Sequence, residues 1–116
     1  MNMPDIKKRL ADFAPVRDWD QFHSPKNLSM GLAAEAAELL EIFQWLTGEQ
    51  SRGIVNDEKE MQHVREEVVD DFIYLVRLAD ELNVDIEKAV LEKIANNELR
   101  YPIEQSNGNA TKFSRR

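Results

Sequence analysis

The chain contains no cysteine, which excludes disulfides, thiolate nucleophiles and cysteine-based zinc sites. Glycine and proline number four each in 116 residues, and the long stretches between them favour helix. No apolar run reaches the roughly 20 residues that a membrane-spanning helix needs. The first residues, MNMPDIKKRL, lack the apolar stretch of a signal peptide, so a cytoplasmic protein is expected. Positive charge is also short: 15 Lys and Arg stand against 22 Asp and Glu, a net charge of −7. Binding to nucleic-acid phosphates needs a basic surface, so neither DNA nor RNA is an expected partner.

What is present reads as an ordinary globular chain, 42% hydrophobic and 32% charged, and its length suits one domain. Four helices are predicted. The first covers about residues 4–14, with Ile6, Leu10 and Phe13 on one face and Pro15 ending it. The second begins at Ser24, a good N-cap, followed by Pro25 at the first helical position. It runs to about Leu46 and stops at TGEQ, with Gly48 as a C-terminal glycine. A polar loop, 47–56, leads to a third helix over 57–82. A short turn at 83–85 then precedes a fourth helix over 86–100, stopped by Pro102. Such helices with short connections predict an all-α, antiparallel four-helix bundle. The domain is placed at residues 1–103, with a polar tail at 104–116.

The second helix carries an anomaly. With about 100° per residue, Leu28, Leu32, Leu39, Ile42 and Leu46 all fall within about 60° of Glu35. Glu35 therefore sits in the middle of an apolar stripe. Glu38 lies at the edge of that stripe and Glu41 further out. The third helix repeats the pattern: from Val68 to Leu78 it is apolar nearly all round, which predicts a buried helix. Glu67, Asp70, Asp71 and Tyr74 share one arc of it. Two acidic pairs at i, i+3, EAAE and EVVD, would place four carboxylates together if their faces meet.

Unpaired, such a cluster is costly or forces protonation. A divalent cation removes the conflict, and an all-oxygen donor set suits Mg²⁺ or Mn²⁺ rather than zinc or copper. A di-iron site is the weaker alternative. One Glu-x-x-His is present, Glu60 to His63, where that architecture uses two on different helices. His63 reads as a surface histidine. The bland account of the acids is that they face solvent or pair with Lys and Arg, making the chain an acidic helical interaction module.

E-x-x-E on one helix and E-x-x-D on the next resemble the MazG-like nucleoside triphosphate pyrophosphohydrolases. The longer segments RDWDQFHSPKNL, EAAELLEIFQW, EEVVDDFIYLVRLA and NELRYP, with GNATKF in the tail, resemble the dCTP pyrophosphatase subgroup in the same order. The resemblance implies Mg²⁺-dependent hydrolysis of a nucleoside triphosphate to monophosphate and pyrophosphate. It implies Glu35, Glu38, Glu67 and Asp70 as metal ligands and catalytic carboxylates. One of them, Glu38, would take the proton of the attacking water, with Glu41, Glu66 and Asp71 as further ligands or bases.

For phosphate, Lys93, Asn97 and Arg100 share a face of the fourth helix at i, i+4, i+7 and are followed by Tyr101. The resemblance places substrate contacts there, and Lys26 and Arg77 are lesser candidates. For the base and sugar, Trp19, Phe22, His23, Trp45 and Tyr74 supply flat surfaces, and Phe13, Leu39, Phe43 and Phe72 are read as core. Leu10 aligns where some dCTP-preferring relatives carry a histidine that stacks on the base, so another deoxynucleotide, canonical or modified, fits equally well. A homo-oligomer is expected, because four helices bury little by themselves, and the resemblance implies a dimer or a dimer of dimers.

Overall fold

The computed structural model of the chain describes residues 1–16 and 23–100, and every regular element in them is helical. Helix α1 spans Met3–Val16. Asn2 caps it, its Oδ1 accepting from the Asp5 amide at 3.0 Å. The helix continues through Pro15 to Val16 where its end was expected at the proline, a shift of the usual size for helix boundaries. Helix α2, Pro25–Phe43, starts as the sequence predicts: Ser24 Oγ accepts from the Asn27 amide at 3.1 Å and Pro25 opens the first turn.

The segment expected to be a polar loop is largely helical. Helix α3 spans Gly48–Arg52, and a 3₁₀ turn follows at Gly53–Asn56. Gly48 therefore opens a helix instead of closing one. Thr47 and Gln50 make a reciprocal capping box, with the Gln50 amide on Thr47 Oγ1 at 3.1 Å and the Thr47 amide on Gln50 Oε1 at 3.0 Å. Two otherwise unpaired amides are satisfied at once, which favours a helix start over a loop.

Helix α4, Glu58–Glu81, is capped by Asp57, and just past its end Asn83 has a φ of 55°, the left-handed conformation that asparagine tolerates. Helix α5 covers Ile86–Arg100, with Asp85 Oδ1 accepting from the Lys88 amide at 3.1 Å.

The helices divide into two compact units, residues 1–83 with α1 to α4, and the part from Val84 onward with α5. In the first unit α2 and α4 run antiparallel. Glu38 and Glu35 lie by Glu67, Gly31 by Tyr74, and Leu28 with Arg77, so rising numbers on one helix meet falling numbers on the other. Helix α1 lies against the later half of α4, where Lys7 Nζ stands 3.8 Å from Asp80 Oδ1.

Leu28 and Val76 are wholly buried, with Met3 and Ala79 nearly so. Burial of a side chain such as Leu28 contributes about 1.5–3 kcal/mol. Helix α4 departs from its predicted all-round burial: Val68, Val69 and Leu75 are each about half exposed in the single chain. A helix packed on two neighbours buries the stripe that faces them and no more. Phe13, read as core, is 45% exposed because it rims a cavity instead of filling one. Leu39, Phe43 and Phe72 are half-buried.

Candidate functional site

The seam between α2 and α4 has two chemically different ends. At one, Glu35, Glu38 and Glu67 each offer a carboxylate oxygen, and these oxygens lie within 4.8 Å of one another. Glu67 is buried, Glu35 half-buried and Glu38 exposed, while Glu41 is exposed as its angle on the helix predicts. One oxygen of Glu35 and one of Glu67, both Oε2, are buried without a hydrogen-bond partner. Burial pushes the Glu35 carboxyl up to about 7, helped by a hydrogen bond with Glu67 and by the charge of Glu38. Glu67 is raised for the same first reason, its burial. Its hydrogen bond with Glu35 works the other way, and the charges of Glu38 and Asp70 add to the rise. The two carboxyls, hydrogen-bonded to each other, are both pushed toward the protonated form by burial.

Three clustered carboxylates, two with an orphaned buried oxygen, form a donor set that fits a hard divalent cation. The cluster can hold a metal ion, and the donor chemistry excludes a preference for soft metals. Asp70 is outside the tight group: it is exposed and, with Gln62, Arg65, Glu66 and Val69, lines a shallow depression on α4. Asp71, one residue on, is the more enclosed, with Oδ1 buried and unpartnered. His63 adds a contact that the sequence did not single out. Its Nε2 lies 3.7 Å from Glu67 Oε1, and the i, i+4 spacing of the two residues was the available signal.

At the other end, Leu10, Phe13, His23, Leu28, Ile73, Tyr74 and Arg77 line a cavity of about 310 Å³. Its wall is largely apolar. Two polar atoms in the lining residues, His23 Nδ1 and Arg77 Nε, are buried without a partner. The Arg77 side chain is otherwise held on its own helix, Nη1 3.3 Å from Asp80 Oδ2 and Nη2 2.8 Å from Glu81 Oε1. Tyr74 stands between the two ends, lining the cavity from one turn beyond Asp70.

Of the remaining sequence candidates, Trp45 is 86% exposed, just past the end of α2, and Lys26 is exposed in its first turn. Lys93, Asn97 and Arg100 are exposed along α5, in the second unit. Trp19, Phe22 and Tyr101 lie outside the described residues. Among the described residues no helix is long and apolar enough to cross a membrane.

Comparison with known proteins bears on the family and the fold. The sequence profile of the MazG-like family matches residues 32–115. The chain is 41% identical over 112 residues to dCTP pyrophosphatase 1 of Rattus norvegicus and 39% identical over 112 residues to that of Homo sapiens. Each alignment covers 97% of this chain and 66% of the relative, so the chain spans just under two thirds of the relatives' length. A crystal structure of a pyrophosphatase from Archaeoglobus fulgidus superposes with a TM-score of 0.77 at 36% identity, over 88% of this chain and 94% of that one.

Proposed function

The chain belongs to the MazG-like family, and on that premise we propose that it hydrolyses deoxynucleoside triphosphates to the monophosphate and pyrophosphate. The observation that carries the reading is the two-ended α2–α4 seam, a carboxylate cluster at one end and an apolar cavity at the other. A nucleotide is itself two-ended, with a polyanion at one side and a flat, largely apolar base at the other. A triphosphate meets an acidic pocket only through intervening cations, and the orphaned oxygens of Glu35 and Glu67 support such a cation. An acidic docking module would instead turn its buried carboxylates outward.

Mg²⁺, with Mn²⁺ as a substitute, fits the all-oxygen donor set of Glu35, Glu38 and Glu67, with Asp70 and Asp71 next along α4. A bound divalent cation neutralises phosphate oxygens and acidifies water. The chain's own residues do the rest. The buried Glu67 and half-buried Glu35 fix the position of the charge-bearing end. Glu38, the exposed member, accepts the proton of the attacking water on a carboxylate oxygen. Water forms the new bond to the α-phosphorus, the α–β bridging bond breaks, and pyrophosphate leaves. The cavity beside Tyr74 takes the base, shielded by Leu10, Phe13, Leu28 and Ile73. Trp19, Phe22 and Trp45 are further candidates for that end. Lys93, Asn97, Arg100 and Tyr101 are candidates for the phosphates.

dCTP is one candidate substrate, since relatives at about 40% identity are named for it, but Leu10 offers no stacking ring, and a modified deoxynucleotide fits the apolar wall as well. A house-cleaning role in the nucleotide pool and a cytoplasmic setting belong to the same reading. So does a homo-oligomer, dimer or dimer of dimers, in which a second copy covers the half-exposed Val68, Val69 and Leu75. Residues 1–103 form the MazG-like domain in this reading and 104–116 its tail, although the family match extends into that stretch.

The decisive experiment is pyrophosphate release from a panel of dNTPs and NTPs with Mg²⁺, beside a Glu38→Gln variant. Release that disappears in EDTA and in the variant supports the reading and ranks the bases. Orthophosphate release would move the attacked phosphorus, and no turnover of any nucleotide would overturn the reading.

A further inference from the structure

We propose that Gly31 is a positioning residue for the base end of the α2–α4 seam: its missing side chain seats the Tyr74 ring, and that seat fixes the wall between carboxylates and cavity. A Cβ built on Gly31 would stand 2.8 Å from Tyr74 Cζ and 3.1 Å from Cδ1, and nearer still to Cε1. These are atoms of a rigid ring, so the whole ring must swing for a methyl group to fit. The backbone at Gly31 is ordinary helix inside α2. Conformational freedom therefore gives no reason for a glycine, and alanine would be the better helix former there. The same helix takes alanine at Ala33, Ala34, Ala36 and Ala37.

The consequence follows from place. On α2, Leu28 lines the cavity, Gly31 is one turn on, and Glu35 is one turn further. On α4, Tyr74 lies between cavity-lining Arg77 and the acidic run that ends at Glu67. Displaced from its seat, the ring has the cavity it already lines as the open space beside it. A methyl group at Gly31 then narrows the base end and leaves the carboxylates untouched.

The effect on substrate rests on the function proposed above, whereas the seat itself is tested by melting. Four proteins are compared: the parent chain, Gly31→Ala, Tyr74→Leu and the double variant. Gly31→Ala lowers the melting temperature of the parent but raises that of Tyr74→Leu, because without the ring only the gain in helix propensity remains. For the preferred dNTP, Gly31→Ala raises KM about tenfold with kcat within about twofold, and adds nothing to KM once Tyr74 is leucine. The Mg²⁺ concentration that supports half-maximal activity stays the same.

A melting shift of the same sign and size in both backgrounds overturns the seat. An unchanged KM in Gly31→Ala, in an enzyme that turns over, overturns the positioning role. If the parent turns over no nucleotide, the proposed function falls, and the melting cycle still decides the seat.

Discussion

The two ends of the α2–α4 seam are built from the same helices and obey opposite physics. The cavity end, with Leu28 wholly buried and Leu10 and Ile73 around it, stabilises the fold by removing apolar surface from water. The carboxylate end works against the fold, since Glu35, Glu38 and Glu67 crowd like charges and orphan two buried oxygens. A folded chain keeps such a cluster only when something else relieves it. On the proposed function, the perturbed titratable groups form the working end, and apolar packing holds that end in place.

The largest effect comes from breaking the acidic end. Glu67→Gln keeps the shape and removes one charge. Turnover is expected to fall about 100- to 1,000-fold, as when a residue that stabilises transition-state charge is lost. The rise in melting temperature on adding Mg²⁺ is expected to shrink with it. In EDTA the variant melts at or above the parent, because a repulsive buried charge has gone. A lower melting temperature in EDTA would instead make Glu67 a structural residue acting through His63.

Next comes the cavity end. Leu28→Ala is expected to destabilise by about 3 kcal/mol, within the range for deleting a buried leucine, measured by urea denaturation. KM should rise, and the stabilisation by Mg²⁺ should persist. A variant that loses stability and cation response together would erase the distinction between the ends.

How much of this the sequence carried depends on whether the deciding interaction is local. The cap at Ser24 and the extents of α4 and α5 follow from neighbours in the chain, and they appear where predicted. The carboxylate pair was legible because Glu35 violates the pattern of its own helix. Gly48 misled, since a glycine after an apolar run reads as a C-cap until Thr47 and Gln50 are recognised as a capping box. The cavity was legible only in pieces, with His23 and Tyr74 read as flat surfaces for the base and Leu10 placed beside it by the resemblance. It is made by α1, α2 and α4 together, and nothing local in His23 or Arg77 says that their polar atoms end unpartnered. Gly31 left a trace, for glycine inside a helix costs about 1 kcal/mol relative to alanine. Its reason, the Tyr74 ring, lies 43 positions away. The half-exposed face of α4 misled in the same way, as periodicity shows that a face is apolar without showing what covers it.

The smallest effect gives the sharpest comparison, because it reads the acidic end without substrate. In EDTA the folded Glu35 carboxyl holds its proton up to about pH 7, against an ordinary 4.5, chiefly through burial. A carboxyl raised on folding contributes stability that is fully present below 4.5 and is lost as pH rises through 7. Glu67 shifts the same way. The melting temperature of the metal-free protein is therefore expected to fall between about pH 5 and 8. The fall is modest, because Glu35 is only half-buried and solvent screens part of the interaction. Glu35→Gln should flatten the slope, and Leu28→Ala should leave it intact while lowering the whole curve. On the proposed function Mg²⁺ competes with the proton for the same oxygens, so adding it is expected to stabilise more at pH 8 than at pH 5. A slope that survives in Glu35→Gln would mean that the pH response arises elsewhere in this acidic chain. The carboxylates would then be opposed by something other than a cation, and the contrast between the two ends would lose its electrostatic half.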